Sequence, residues 1–456
     1  MIPRVRSPLR ERAEIALVAF LTRLVLVCIV QPEPVWDGRY FDALARHLAR
    51  GDGYATAVEG GDGALRFTAH YPVGYPALLS LAYRFFTAHV GVAFVLQALL
   101  GAALAWLVHA LVGLGGHAKE ARRAGLLTAL FPSLVLQASL VMAEPLAAVL
   151  YALLVLAIIH QHTHRHRALY AAAFAGVVGA CATLVRPQTV LIVPVLLGIS
   201  AYRAQGGAGL WPAKWGRVAV FLAAFAAVVL PWSVRNTRVL DGPAFVSTNG
   251  GWNLAIGALP GASGRYRSLP AGHGCEAESG EVRVDRCLQA KALEAIADDP
   301  VKWLALIPAK LSYTMDYEAF PVEVLHESRP ALVPEGLRKL GWRVLMVLHQ
   351  GLLLGAAWRV FREQGMVGHR LGAIALALVP MAALGRPTSG GVAVALAGLL
   401  MMDRDLVRAL IGGTLIVTLA THAVFFGEDR YHMVIEALLV VVLLRPRGRS
   451  PLNYSK

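Results

Sequence analysis

Charged residues are scarce in this chain: Asp, Glu, Lys and Arg make up 16% of 456 residues, against 57% apolar. A soluble multidomain protein needs more polar surface to cover its core, so that class is excluded. Instead there is a succession of apolar runs, each near the ~20 residues that a helix needs to cross a bilayer. Cysteine is scarce too, with four in the chain. Cys28 and Cys181 fall inside apolar runs. Cys275 and Cys287 share one polar stretch without the Cys-x-x-Cys spacing of a zinc site. If that stretch faces an oxidising compartment, the pair is a candidate disulfide. Neither standard Gly-rich phosphate loop is present, nor a Rossmann unit. The absence of an internal repeat argues mildly against a repeat-built transporter.

The formal charge of +14 would suit nucleic-acid binding. However, the basic residues lie in short clusters between apolar runs, the placement that orients membrane helices, so no nucleic-acid partner is expected. Arg4, Arg6, Arg10 and Arg12 precede the first run, which lacks a cleavable small-x-small exit and reads as a retained span. Lys119, Arg122 and Arg123 follow 89–113, Arg165 and Arg167 follow 145–160, and Arg203, Lys214 and Arg217 follow 188–202. Arg359, Arg362 and Arg370 follow 339–358, Arg404 and Arg408 follow 389–402, and Arg445, Arg447 and Arg449 close the chain. All share the cytoplasmic side of an all-α polytopic membrane protein with about twelve transmembrane helices, provided that 73–87 does not cross. Residues 31–88 then form an outer loop with two juxtamembrane helices, 41–50 and 76–86. A larger outer loop or cap, 237–335, precedes span eight, and within it ALEAIADDPVKWLALIPAKL (292–311) reads as an amphipathic helix. The chain divides into 1–236, a catalytic transmembrane module, then the cap 237–335, then 336–456, the C-terminal helices.

With that orientation, the other span ends meet outside: Asp37, Glu144–Pro145, Arg186–Pro187, Arg235–Asn236, the turn 386–389, and Gly427 to Tyr431. Ionisable residues at a membrane boundary are functional candidates by default. A transport path would instead place them near mid-membrane, where the sequence shows only Arg23, able to snorkel, and His109. Asp37 is the candidate acid–base centre; its competing reading is a helix N-cap.

Several segments together resemble the GT-C glycosyltransferases, especially bacterial enzymes similar to protein O-mannosyltransferases and aminoarabinose transferases. They are Asp37 with Phe41 and Leu44–Ala45, Gly53–Tyr54, Pro72–Val73–Gly74–Tyr75–Pro76, Glu144–Pro145–Leu146, Arg186–Pro187, Pro231–Trp232 with Arg235–Asn236, the run Ser247 to Asn253, and Arg430–Tyr431. One position departs from the pattern: many relatives carry Arg or His directly before the Pro-x-Gly-Tyr-Pro segment, and here it is Tyr71, with His70 behind it.

The resemblance implies an integral membrane enzyme that moves a monosaccharide from a polyprenyl-phosphate donor to a lipid, glycan or protein acceptor. Its site would face the periplasm from a bacterial inner membrane. Inverting sugar transfer needs a base for the acceptor hydroxyl, the role expected of Asp37, with Glu144 as second catalytic carboxylate. Arg186, Arg235 and Arg430 are candidates for the leaving phosphate, and Tyr431, Tyr75, His70, Tyr71, Asn249 and Asn253 for other substrate contacts. No metal or obligatory cofactor is expected, although Asp37 and Glu144 could share a divalent ion. The Asp403–Arg404–Asp405 segment mimics an Asp-x-Asp metal motif but reads as a tight cytoplasmic turn, and the run His160 to His166 reads as a solvated cytoplasmic loop rather than a metal site. The rival functions are a flippase of lipid-linked saccharides and an oligosaccharide ligase or polymerase.

Overall fold

The computed structural model describes residues 8–58, 63–163, 167–203, 211–364 and 389–447. The protein is an all-α polytopic membrane protein. Among the described residues the only sheet is a two-stranded antiparallel ribbon, Ala55–Ala57 with Leu65–Phe67. Among the described residues, seven helices are long and apolar enough to cross a membrane: Pro8–Val30, Val90–Gly113, Glu144–His162, Ala168–Val185, Trp215–Val239, Glu335–Glu363 and Leu406–Val424. Thr189–Arg203, Ser389–Met402 and Met433–Leu444 are shorter apolar helices. The turn 386–388, Arg370, Arg165 and the histidines 164 and 166 lie outside the described residues.

Helices in lipid gain little from hydrophobic association, so close packing must hold them together. The Ala168–Val185 helix meets the Trp211–Val239 helix through Gly176, Gly179 and Ala180. A Cβ at Gly176 would lie 2.3 Å from the Phe221 carbonyl oxygen, so only glycine permits that approach. Burial then sorts the spans: 78% of the Glu144–His162 window is inside the protein, against 11% for Trp215–Val239. The Glu144 helix is therefore central and the Trp215 helix faces lipid.

The first juxtamembrane helix starts earlier than its apolar pattern suggested, at Asp37–Arg50. The second, Gly74–Phe85, is 12 residues long, about 18 Å at 1.5 Å per residue and too short to cross. Its start is wedged against the Ala168–Val185 helix, where a Cβ on Gly74 would meet Val185 Cγ2 at 2.6 Å. The expected helix 292–311 is broken into the end of Glu281–Asp298, then Pro300–Ala305, then Ile307–Met315. Proline at 300 and 308 lacks the N–H and clashes with the preceding turn. Asp299 restarts the chain by accepting from Lys302 N at 2.9 Å. The first part of the cap has a small core of its own, with Leu254, Leu259, Cys275 and Leu288. Leu311, Met315, Phe320 and Val324 instead join the main bundle.

Two expectations about span interiors need correction. Arg23 does not snorkel. It is 1% exposed, and its guanidinium donates to the carbonyls of Ala19, Ala129, Thr128 and Leu134. Polar side chains in the bundle are also more numerous than Arg23 and His109: His349, Arg408, His422 and Glu436 are all buried there. Single ionisable residues in apolar runs read as isolated exceptions in the sequence, and only the packing pairs them.

Candidate functional site

Asp37 is placed by an unusual turn. Trp36 adopts φ 48°, costly for a bulky side chain, and its ring lies 5.9 Å from Phe320. Trp36 occupies the N-cap position without a side-chain cap bond, and Asp37 is the first helical residue. The N-cap reading of Asp37 is therefore set aside. Its carboxylate accepts from Tyr71 Oη at 2.8 Å and from Arg430 Nη1 at 2.6 Å, a residue 393 positions along the chain. Burial pushes this carboxyl up, but the charge and hydrogen bond of Arg430 and the Tyr71 hydroxyl outweigh it. Asp37 ends below the ordinary aspartate value, ionised at neutral pH.

Arg430 sits in the 3-10 turn Asp429–Tyr431. Its guanidinium lies over the rings of Tyr431 (5.2 Å) and Phe320 (5.6 Å). Its Nε is 2.7 Å from Glu428 Oε2, an ion pair that lacks hydrogen-bond alignment. Burial opposes the Arg430 charge, yet Glu428, Tyr431, Asp37 and Glu144 together hold it protonated well above the usual arginine value. Burial raises the Glu428 carboxyl against the pull of Arg430, with Asp429, Asp37 and Glu144 pushing the same way as burial. Asp429 serves the backbone, accepting from Ala319 N and Phe320 N at 2.5 and 2.7 Å.

A second pair lies against Tyr431. Glu144, the first residue of the central helix, accepts from Arg186 Nη2 at 2.5 Å. The Arg186 guanidinium lies 5.5 Å from the Tyr431 ring, which also stacks at 4.0 Å on His422. Asp37, Arg430, Tyr431, Arg186 and Glu144 thus form one continuous group from four distant parts of the sequence. Hydrogen-bonding capacity is left over: Glu144 Oε2 and Arg186 Nε are buried without a hydrogen-bond partner. Such open valences clustered in one place mark where a polar ligand fits.

His70 borders the group, its ring 5.0 Å from Tyr71 and 6.1 Å from Trp252. Burial lowers its pKa against the opposing charges of Glu281, Asp285 and Asp37, so it is neutral at pH 7. Glu281 fixes this segment, accepting from Thr68 Oγ1 and Ala69 N, each at 2.7 Å. Tyr75 stands deeper. It is fully buried, with its hydroxyl accepting from Gln97 Nε2 at 3.0 Å. Asn249 accepts from Ser247 Oγ at 2.8 Å, and Asn253 is half-buried on the Gly250–Ala258 helix behind Trp252.

Arg235 is not brought to this group. Its guanidinium donates to Thr68 O (2.7 Å), Tyr54 O (2.8 Å) and Asn236 Oδ1 (3.1 Å), and it stacks on Trp232 at 4.8 Å. It anchors the ribbon to the lipid-facing helix. Cys275 and Cys287 are joined in a disulfide, with Cα atoms 5.9 Å apart. His422 and Glu281 were not singled out in the sequence, and Glu428 entered only as part of the Gly427–Tyr431 span end. Glu428 was signalled by its place in the same turn as Arg430, whereas His422 and Glu281 carry no local mark.

The Asp403–Arg404–Asp405 turn is structural. Asp405 caps the Leu406–Val424 helix and pairs with Arg445 at 3.0 Å, while Asp403 pairs with Arg408 at 3.3 Å. In the histidine run, His162 Nε2 lies 2.7 Å from Ser200 Oγ.

No family model matches this chain, and no curated protein matches it. Among solved structures it is similar to the oligosaccharyltransferase of Archaeoglobus fulgidus in three states. With Zn and sulfate the identity is 13% and the TM-score 0.47, covering 95% of this chain and 48% of the other. Tethered to an acceptor peptide containing the NVT sequon, it gives 14% and 0.48, covering 95% and 49%. With an inhibitory peptide and a dolichol-phosphate it gives 12% and 0.44, covering 95% and 50%. This chain spans about half the length of those structures, and a likeness at this level assigns no residue a role.

Proposed function

We propose that this protein transfers a monosaccharide, with inversion, from a polyprenyl-phosphate donor to an acceptor at the outer face of a bacterial inner membrane. The carrying observation is the Asp37–Arg430 bridge, joined across Tyr431 to Arg186–Glu144. It sets an ionised carboxylate beside two arginines at the ends of membrane helices. A lipid-linked donor arrives through the bilayer, so its phosphate and anomeric carbon are presented at this boundary. The Cys275–Cys287 disulfide supports an oxidising compartment on the same side.

In the resting site each arginine is already held by a carboxylate. Donor phosphate, a diester with one negative charge shared over two non-bridging oxygens, competes for Arg430 and Arg186 through hydrogen bonds to those oxygens. As Arg430 turns to the phosphate, Asp37 Oδ2 loses the cation that depresses its pKa and becomes a stronger base. The acceptor hydroxyl then gives its proton to Asp37 while its oxygen bonds to the anomeric carbon. The bond from that carbon to the phosphate oxygen breaks, and the departing polyprenyl phosphate carries the new negative charge to the two arginines. Glu144 holds Arg186 in register. With an arginine beside each carboxylate, this scheme needs no divalent ion between Asp37 and Glu144.

The test is Asp37→Asn in purified protein with a polyprenyl-phosphate sugar. Transfer is expected to fall about 10²–10⁴-fold, the usual contribution of a positioned base, with donor affinity retained. Undiminished turnover would remove Asp37 from the chemistry. Mass analysis of the wild-type product distinguishes one transferred sugar from the chain that a ligase or polymerase would add.

A further inference from the structure

Beneath the Asp429–Tyr431 turn, four ionisable side chains meet in the protein interior: Glu318, His349, His432 and Glu436. All are at most 1% exposed, and one ligand-type atom from each lies within 4.8 Å of the others. They come from the segment after the Ile307–Met315 helix, the Glu335–Glu363 helix and the start of the Met433–Leu444 helix.

The hydrogen bonds around them leave lone pairs pointing at one another. His432 Nδ1 lies 2.6 Å from Thr314 O, and His349 Nε2 lies 3.1 Å from Met315 O. A carbonyl only accepts, so each of these nitrogens carries the proton. In the neutral rings the opposite nitrogens are then acceptors. His432 Nε2 faces Glu318 Oε2, and His349 Nδ1 faces Glu436 Oε1 at 3.7 Å. His349 Nδ1 and Glu436 Oε1 have no hydrogen-bond partner. The outer oxygens of both carboxylates reach the same hydroxyl, Ser133 Oγ, at 2.6 and 2.9 Å. One hydroxyl proton serves one carboxylate at a time. Two buried carboxylates and two imidazole lone pairs therefore converge with a deficit of positive charge, a costly arrangement in a dry interior.

We propose that this quartet binds one divalent first-row transition metal, with zinc the best match. Two imidazole nitrogens and two carboxylate oxygens make a closed four-ligand set of the structural type. The backbone carbonyls of Thr314 and Met315 supply the outer contacts that fix ligand histidines in the required tautomer. Tetrahedral bonds of about 2.0–2.2 Å would set neighbouring ligand atoms roughly 3.3–3.6 Å apart, close to the 3.7 Å between His349 and Glu436. Because His432 follows Arg430 by two residues, the metal would tie the arginine-bearing turn to two helices of the bundle. The proposal departs from the sequence expectation of no metal, which was made for the whole chain. The proposal is independent of the sugar-transfer reading.

The experiment is metal analysis of the full chain, purified without an affinity tag of histidines, before and after dialysis against chelator and reloading with Zn²⁺. About one equivalent per chain is expected, with a lower melting temperature after stripping and recovery on reloading. Glu436→Gln, which keeps shape and hydrogen bonding, should weaken retention by more than about tenfold, as should His349→Gln. His162→Ala combined with His164→Ala and His166→Ala should leave metal content unchanged. Wild-type protein that neither retains metal nor takes up Zn²⁺, Mn²⁺ or Fe²⁺ would overturn the proposal, leaving protons to balance the quartet. Loss of metal in the histidine-run variant alone would overturn it equally. If either single variant fails to fold, the stripping and reloading of wild-type protein still decides.

Discussion

The two ends of the helix bundle use the same chemistry, arginine against carboxylate, to different effect. At one end Arg445 and Arg408 are fully buried. Arg445 bonds Asp405 and the carbonyls of Leu111 and Leu114, and Arg408 bonds Glu363, Asp403 and the Arg445 carbonyl. Those side chains bind one another and the backbone at the ends of several helices. At the other end Asp37 and Arg430 keep 24% and 18% of their side-chain surface, and open valences remain at Arg186 and Glu144. The first network, sealed from solvent although Arg408 Nε lacks a hydrogen-bond partner, locks helix ends together, whereas the half-open one can exchange partners with a ligand. Pairs of charges alone do not mark a site; leftover hydrogen-bonding capacity beside partial exposure does.

The largest expected contrast is between Asp37→Asn and Asp405→Asn. The first should cost two to four orders of magnitude in turnover, as set out above, with the fold intact. The second leaves the Arg445 charge buried and unpaired, which typically costs about 3–5 kcal/mol. Thermal denaturation in detergent should show that loss, while the folded fraction keeps its kcat. If Asp405→Asn abolished kcat in protein of normal stability, the division between the two ends would fail.

A smaller effect is expected from Arg430→Gln, read as a pH profile. In wild-type free enzyme Arg430 holds Asp37 below its ordinary value, so the acid limb of kcat/KM should lie below the ordinary aspartate range. Removing the cation leaves burial to push the carboxyl up, and the acid limb should move to higher pH. The same depressed pKa means that stability from the Asp37–Arg430 pair is present above the unfolded aspartate value and lost as pH falls through the folded one. An unmoved limb would show that Asp37 is not the titrating base.

The smallest contrast separates the arginines. Arg186→Lys should raise KM for the donor, because lysine cannot reproduce a bidentate hold on phosphate. Arg235→Lys should lower stability by about 1–2 kcal/mol through its contacts to Thr68 and Tyr54, without changing KM. A comparable KM effect at Arg235 would return it to the substrate site.

Much of this arrangement was legible in the sequence. Apolar length and Lys/Arg placement indicated the spans and grouped the ends that meet at Arg445, and the same grouping brought Asp37, Glu144, Arg186 and Arg430 together. Register along the bundle was not legible. Arg235 occupies a span end like Arg186, but its helix faces lipid, and its guanidinium turns to the ribbon. Tyr75 belongs to the same Pro-x-Gly-Tyr-Pro segment that follows Tyr71, yet it points into the core. The Glu318–His349–His432–Glu436 quartet was hidden because its members are single polar residues on separate elements, with no shared spacing. Glu436 in particular looks isolated in an apolar run until helix packing supplies its partners.

The most direct measurement is an experimental structure with a polyprenyl-phosphate sugar bound. The account predicts donor phosphate oxygens in hydrogen-bond reach of both Arg430 and Arg186, with the Asp37 carboxylate released from Arg430 and facing the anomeric carbon. A donor phosphate held by Arg235, or a closed Asp37–Arg430 bridge remote from the bound sugar, would contradict it.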